Sequence, residues 1–253
     1  MKEALPSWQA FGDGIPPETR PTRDPGSVSI RQARGSTMTA SLKETLRERV
    51  AAATVQIAGK TGQGVLVPGH LILTAAQCIT YGGDGRMGPG NRFVEDVRTA
   101  DGSLLKVALE AVEPVSGIAA LGTPESQTRS ADYDEPDAFF ERTAPVQIYW
   151  GDLEWSKPYA AYIYTHKREW LSAKVRRWGQ TGQLISLDAA RGIEFGSSGG
   201  PVVNESGQLL GVVSQGGGTD GQALLADPIP RPSLVLPIWI ANRIRKAEED
   251  TTR

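Results

Sequence analysis

Residues 196–214 read Gly196-Ser197-Ser198-Gly199-Gly200-Pro201-Val202-Val203-Asn204-Glu205-Ser206-Gly207-Gln208-Leu209-Leu210-Gly211-Val212-Val213-Ser214. A glycine-rich turn leads into two short apolar runs, 201–204 and 209–214, parted by polar turn residues. Such runs, bounded by Gly, Pro, Asn and Ser, read as strands. The same pattern recurs outward along the chain at 54–58, 63–67, 70–74, 103–109 and 145–149, then at 160–164, 171–175, 183–187 and 222–226. Many short strands between turn residues predict a β-sandwich or barrel. The 29 glycines and 17 prolines favour that class over a helical bundle. A chain that is 39% hydrophobic and 22% charged can build a packed core.

Two stretches read as loops, 84–101 and 122–143. The second is acidic and divides the strands into two groups, near 54–121 and 144–227. Ser41 and Glu44 have capping-box spacing, which predicts a helix over 42–52 with Leu42, Leu46 and Val50 on one face. A second helix is expected after Pro237, with an apolar face of Ile238, Ile240 and Ile244. Residues 1–40 differ from the rest: five prolines fall in the first 25 residues, among charges without apolar periodicity. They predict a disordered or extended arm. Trp8 and Phe11 are the side chains there that suit a docking role. The expected organisation is therefore the arm (1–40), a helix with the first strand group (41–121), the acidic loop (122–143), the second group (144–232) and a C-terminal helix and tail (233–253).

Composition narrows the function classes. The net charge is −2, and nothing basic argues for a nucleic-acid surface. A single cysteine, Cys78, forbids an intrachain disulfide and predicts a buried small hydrophobe. With two histidines, His70 and His166, a His-rich metal site is not expected, and neither is a cofactor. No apolar run reaches signal-peptide or membrane-spanning length. A cytoplasmic location without membrane contact is the expectation.

Three segments carry a resemblance. They are Gly62-Gln63-Gly64-Val65-Leu66-Val67 running on to Leu71-Ile72-Leu73-Thr74-Ala75-Ala76-Gln77-Cys78, then Gly117-Ile118-Ala119-Ala120-Leu121, and the 196–214 stretch. Their order and spacing resemble the trypsin-like serine protease family, in its intracellular bacterial form, over roughly residues 50–245. The resemblance implies an all-β fold of two packed antiparallel six-stranded β-barrels with a C-terminal helix. It makes the acidic loop the crossover between barrels.

Residue by residue, Ser198 stands at the family's nucleophile position, and Gly196 and Ser198 at the oxyanion-hole N–H groups. Ser197 replaces the usual acidic residue. Gln77 stands where the family has its general-base histidine, and Gly117 where it has the orienting aspartate. Ser214, Gln215 and Gly216 match the strand that pairs with substrate backbone. The pocket base falls near Gly192, with Glu194 the charge close by. A glutamine amide is not a base near neutral pH, and glycine has no carboxylate. Loss of a base costs on the order of a million-fold in turnover in a related mechanism. His70, at a strand start, and His166, at a hairpin tip, read as ordinary surface residues. The expectation is a chain that is not an enzyme: a pseudoprotease that binds or regulates a protein partner. By resemblance alone, this fits a prokaryotic signalling or defence system. Two alternatives stay open: an atypical serine hydrolase using Ser198 with an unidentified base, and a structural module whose N-terminal arm docks a partner.

Overall fold

The computed structural model describes residues 42–59, 61–79, 94–113, 117–123, 134–154, 157–178, 183–186, 193–214, 228–230 and 238–252. All of them belong to one unit of the chain, Ala40–Arg253. The expected arm, with Trp8 and Phe11, lies outside the described residues, as do Ser41 and the strand expected at 222–226.

Helix α1 (Glu44–Ala52) has an acidic residue in its first turn and Arg49 in its last, the signs that suit the helix dipole. Leu42 and Val50 are buried and Leu46 is half-buried, so the expected face is the packed one. The helix begins after Lys43, which makes no side-chain capping bond.

Six antiparallel strands follow: β1 (Thr54–Ile57), β2 (Gly62–Val67), β3 (Leu71–Ala75), β4 (Val94–Arg98), β5 (Leu104–Glu113) and β6 (Ile118–Gly122). They form a closed barrel in the order β1-β2-β3-β6-β5-β4. Closure comes through Gln56 opposite Arg98 and Ile57 opposite Val97. A closed barrel has no edge strand to protect. β2, β3 and β6 are buried along their whole length. One face fills the barrel, and the other is covered by the rest of the protein. The same apolar cluster runs from the barrel to Phe139 and Phe140, to Tyr162, Val203, Leu209 and Val212 of the second half, and to Ile240 and Ile244.

The second half holds β7 (Tyr159–Tyr164), β8 (Trp170–Trp178), β9 (Gln183–Ser186), β10 (Pro201–Val203), β11 (Leu209–Val212) and β12 (Pro228–Pro230). They form one antiparallel sheet in the order β11-β10-β7-β8-β9-β12. Its end strands, β11 and β12, approach each other. No ladder joins them among the described residues, so the structure shows one closed barrel and one six-stranded sheet where two barrels were expected. Strand alternation sorts the side chains of β7: Ala161 and Ile163 enter a smaller cluster with Val175, Val202 and Leu210, while Tyr162 faces the main core.

Four local expectations change. The stretch 84–101 is not all loop, since Val94–Arg98 form strand β4 of the barrel. The segment 122–143 is not all loop: Asp134–Arg142 form helix α2, anchored by the buried Phe139 and Phe140. The run 145–149 is not a ladder strand. Its amides alternate between the two halves, Val146 N–H donating to Leu66 in β2 and Tyr149 N–H to Leu209 in β11. The last helix, α3 (Ile238–Thr252), buries Ile240 and Ile244, one turn apart. Ile238 stands two residues off that stripe and is 74% exposed. Glu248 of α3 accepts bonds from the Ile148 N–H and the Trp150 indole, fastening the helix to the connecting segment.

The β4–β5 turn gives a pH test of stability. Asp101 accepts from the Thr99 hydroxyl and the Ser103 N–H, and pairs with Arg142 of α2. These bonds, the Thr99 hydroxyl first, lower its carboxyl from 3.8 to about 2. A depressed folded-state value stabilises above the unfolded pKa, and that contribution is lost as pH falls through the folded one. Urea midpoints should therefore drop on acidification from 3.8 toward about 2, and drop less steeply in Asp101→Asn. Identical slopes would remove Asp101 from the acid response.

Candidate functional site

The glycine-rich segment 196–200 is a tight turn between the barrel and the second sheet. Gly196 and Gly199 have φ of +96° and +81°, which favours glycine at both. The turn is stitched on both sides. Ser197 N–H donates to Glu194, and Gly200 N–H to Ser197. Gly199 N–H donates to Val213, and Val213 N–H returns to Gly200. From the barrel, Gln63 N–H donates to the Ser198 carbonyl at 2.7 Å. The Gln63 carbonyl in turn accepts from the buried Thr74 hydroxyl. The N–H groups of Gly196 and Ser198 donate to no protein group among the described residues.

Ser198 and Gln77, 121 residues apart in sequence, meet here. The Gln77 amide donates to Ser198 Oγ at 3.3 Å. Gln77 sits exposed on a single 3-10 turn, Ala76–Cys78, whose Ala76 and Cys78 are buried. Cys78 is 2% exposed and its thiol lies 3.5 Å from the Ser198 carbonyl. Gly117, at the head of β6, accepts from Ala76 N–H, so it is tied to the turn that carries Gln77. It has φ +74°, and a Cβ there would lie 2.6 Å from Ser214 Oγ. Ser214 thus fills the space beside Gly117. Gln215, Gly216 and Gly192 lie outside the described residues.

His166 departs most from its sequence reading. The β7–β8 hairpin folds its tip against the turn, and the half-buried ring stands with Nδ1 3.1 Å from Ser197 Oγ. The ring packs closely on Gly196: a Cβ there would come 3.3 Å from His166 Cγ and 3.2 Å from Thr61 Cγ2. It is therefore not an ordinary surface residue, and no short-range signal links 166 to 197. His70 is exposed and stacks on Phe140, with ring centroids 5.5 Å apart. Glu194 does not offer an unpaired charge: Lys167 Nζ lies 2.7 Å from its carboxylate. That hydrogen bond holds the Glu194 carboxyl below its usual range and raises the Lys167 ammonium. Among the described residues, no group of three or more His, Cys, Asp or Glu is placed to hold a metal. No helix among them is long and apolar enough to cross a membrane.

The family model of the trypsin-like peptidase domain matches residues 62–212. Among solved structures, the inactive form of the Rv3671c protease is 15% identical, with a TM-score of 0.47, over 83% of this chain and 96% of that one. An inactive-form serine-to-alanine mutant of Rv3671c from M. tuberculosis H37Rv is 14% identical, with a TM-score of 0.46, over 83% and 94%. No curated protein matches the chain.

The family match corrects the expectation that the chain is not an enzyme. That expectation rested on two positions, Gln77 and Gly117. The matched domain is a peptidase domain, and it runs through the Gln77, Gly117 and Ser198 segments alike. Separately, the structure brings the His166 imidazole against the hydroxyl of Ser197, the buried neighbour of Ser198, a pairing that the sequence does not announce.

Proposed function

Because this chain belongs to the trypsin-like peptidase domain family over residues 62–212, we propose that it is a serine hydrolase of that family, which takes an extended segment of a protein partner and reacts with it through the Ser198 hydroxyl. The observation that carries this reading is the pair of N–H groups on Gly196 and Ser198, without a protein acceptor among the described residues, beside a half-exposed Ser198. Preorganised N–H groups at such a place stabilise the charge that develops on a carbonyl oxygen under attack. Ser198 Oγ forms the bond to the carbonyl carbon as the bond to the leaving group breaks, the leaving group departs with the serine proton, and water then releases the acyl group from Ser198. Gln77 holds the hydroxyl without taking its proton, so acylation is slow and fastest with activated acyl groups. We assign backbone pairing with the bound segment, by strand addition, to Ser214, Gln215 and Gly216, which follow β11 in the sequence. On the same reading we assign the protein to the cytoplasm, in keeping with a sequence whose single cysteine allows no intrachain disulfide.

Fluorophosphonate labelling of the full chain tests this. A covalent adduct on Ser198, lost in Ser198→Ala, is the expected result. An unlabelled native protein, or equal labelling of Ser198→Ala, overturns the reading.

A further inference from the structure

We propose that His166 is the positioning residue of the 196–200 turn, and that its grip on the Ser197 side chain keeps the Gly196 and Ser198 N–H groups facing one way. This rests on the reading of those N–H groups as the oxyanion site.

The hydroxyl–imidazole pair is not itself a nucleophile and its base. Ser197 is 0% exposed, so no substrate carbonyl reaches its oxygen. A buried hydroxyl instead needs a hydrogen-bond partner. His166 supplies two: ring Nδ1 at 3.1 Å, and its backbone N–H at 3.5 Å. The rest of the turn is held by backbone bonds, at Ser197, Gly199 and Gly200, and by Gln63 N–H on the Ser198 carbonyl. None of these fixes the peptide unit that presents the Gly196 N–H. Gly196, at φ +96°, can reverse that unit at little steric cost. Ser197 closes the 194–197 turn around that unit through its N–H bond to Glu194, and tying its side chain to His166 holds that turn in place. The hairpin touches the turn through a second side-chain pair, Lys167 with Glu194, but both partners are about half exposed, at 50% and 52%. Exposed pairs of this kind contribute little. The part-buried His166–Ser197 contact is therefore the tie that counts.

The test compares His166→Leu, His166→Asn and Lys167→Ala in the full chain, each checked for an intact melting transition. Two quantities are read: fluorophosphonate inactivation of Ser198, split into its binding and rate constants, and hydrogen–deuterium exchange over residues 193–200. His166→Leu should slow the inactivation rate constant about 10- to 100-fold, less than the roughly 100- to 1,000-fold that outright loss of one oxyanion donor costs, with binding little changed. Exchange of the turn amides should quicken in the same variant. His166→Asn, which returns a polar group to the Nδ1 position, should restore both. Lys167→Ala should leave both within about twofold. Unchanged exchange and inactivation in His166→Leu would overturn the proposal, and so would an equal loss in His166→Leu and His166→Asn. If the native protein does not label, the hydrolase reading fails, and the exchange comparison still decides whether His166 holds the turn.

Discussion

Gln77→His is expected to raise the rate of Ser198 phosphonylation by about 100-fold or more, the lower end of what a positioned general base supplies. The site favours the exchange. Residue 77 is exposed, so an imidazole meets little packing resistance. The glutamine amide already lies 3.3 Å from Ser198 Oγ, and a histidine at the same place reaches the same oxygen. The variant rate should rise with pH as the imidazole loses its proton, a dependence that Gln77 cannot produce. Adding Gly117→Asp should not multiply the gain. Position 117 has φ +74°, and the new Cβ would stand 2.6 Å from Ser214 Oγ. A residue forced into that conformation costs about 1–3 kcal/mol. Its carboxylate is then displaced from the line to residue 77, and the pair falls short of the roughly 10⁴-fold that an orienting carboxylate contributes in a complete triad. The double variant should melt below Gln77→His and label no faster. Labelling of Gln77→His at the native rate would mean that residue 77 does not address the Ser198 proton.

The parts of this fold that the sequence exposed are those where pattern and burial coincide. β3 and the Val65–Val67 half of β2 read as short apolar runs because both of their faces are buried. β4 was hidden, since Val94-Glu95-Asp96-Val97-Arg98 has two apolar residues in five and joins the barrel through backbone pairing with β1 and β5. Helix α2 was hidden by its acidic start, and two adjacent phenylalanines give no helical period to detect. The segment 145–149 has strand composition but serves two sheets at once, which composition does not encode. At the site, the Gly196–Gly200 spacing made the turn legible, because positive φ values select glycine. The meeting of Ser198 with Gln77 followed from family resemblance. His166 did not: its role depends on a hairpin tip reaching across 31 residues to a serine, and neither residue type announces the other.

Gly199→Ala should be the most damaging glycine-to-alanine change among the described residues, and its comparison with Gly102→Ala separates two causes. Both glycines have strongly positive φ, +81° and +91°. Gly102 has nothing within 4 Å of a new Cβ, so alanine there meets torsional strain alone, about 1–2 kcal/mol. At Gly199 the Cβ would collide with the Gln63 carbonyl oxygen and lie 2.5 Å from the Thr74 hydroxyl. Neither can yield cheaply: the carbonyl belongs to a buried strand of the closed barrel, and the hydroxyl is bonded to it. Overpacking adds about 1–3 kcal/mol to the strain, a large part of the 5–15 kcal/mol typical of a whole domain. The turn is the softer partner and moves first. It carries Ser198 with it, because the Gln63 N–H bond to the Ser198 carbonyl sits on the same residue that is struck. Gly199→Ala should therefore lose Ser198 labelling as well as lower the urea midpoint by more than Gly102→Ala, which should label as the native protein does. Equal midpoints in the two variants would show that the close approach to Gln63 is not what demands glycine at 199, and that backbone conformation alone sets the requirement.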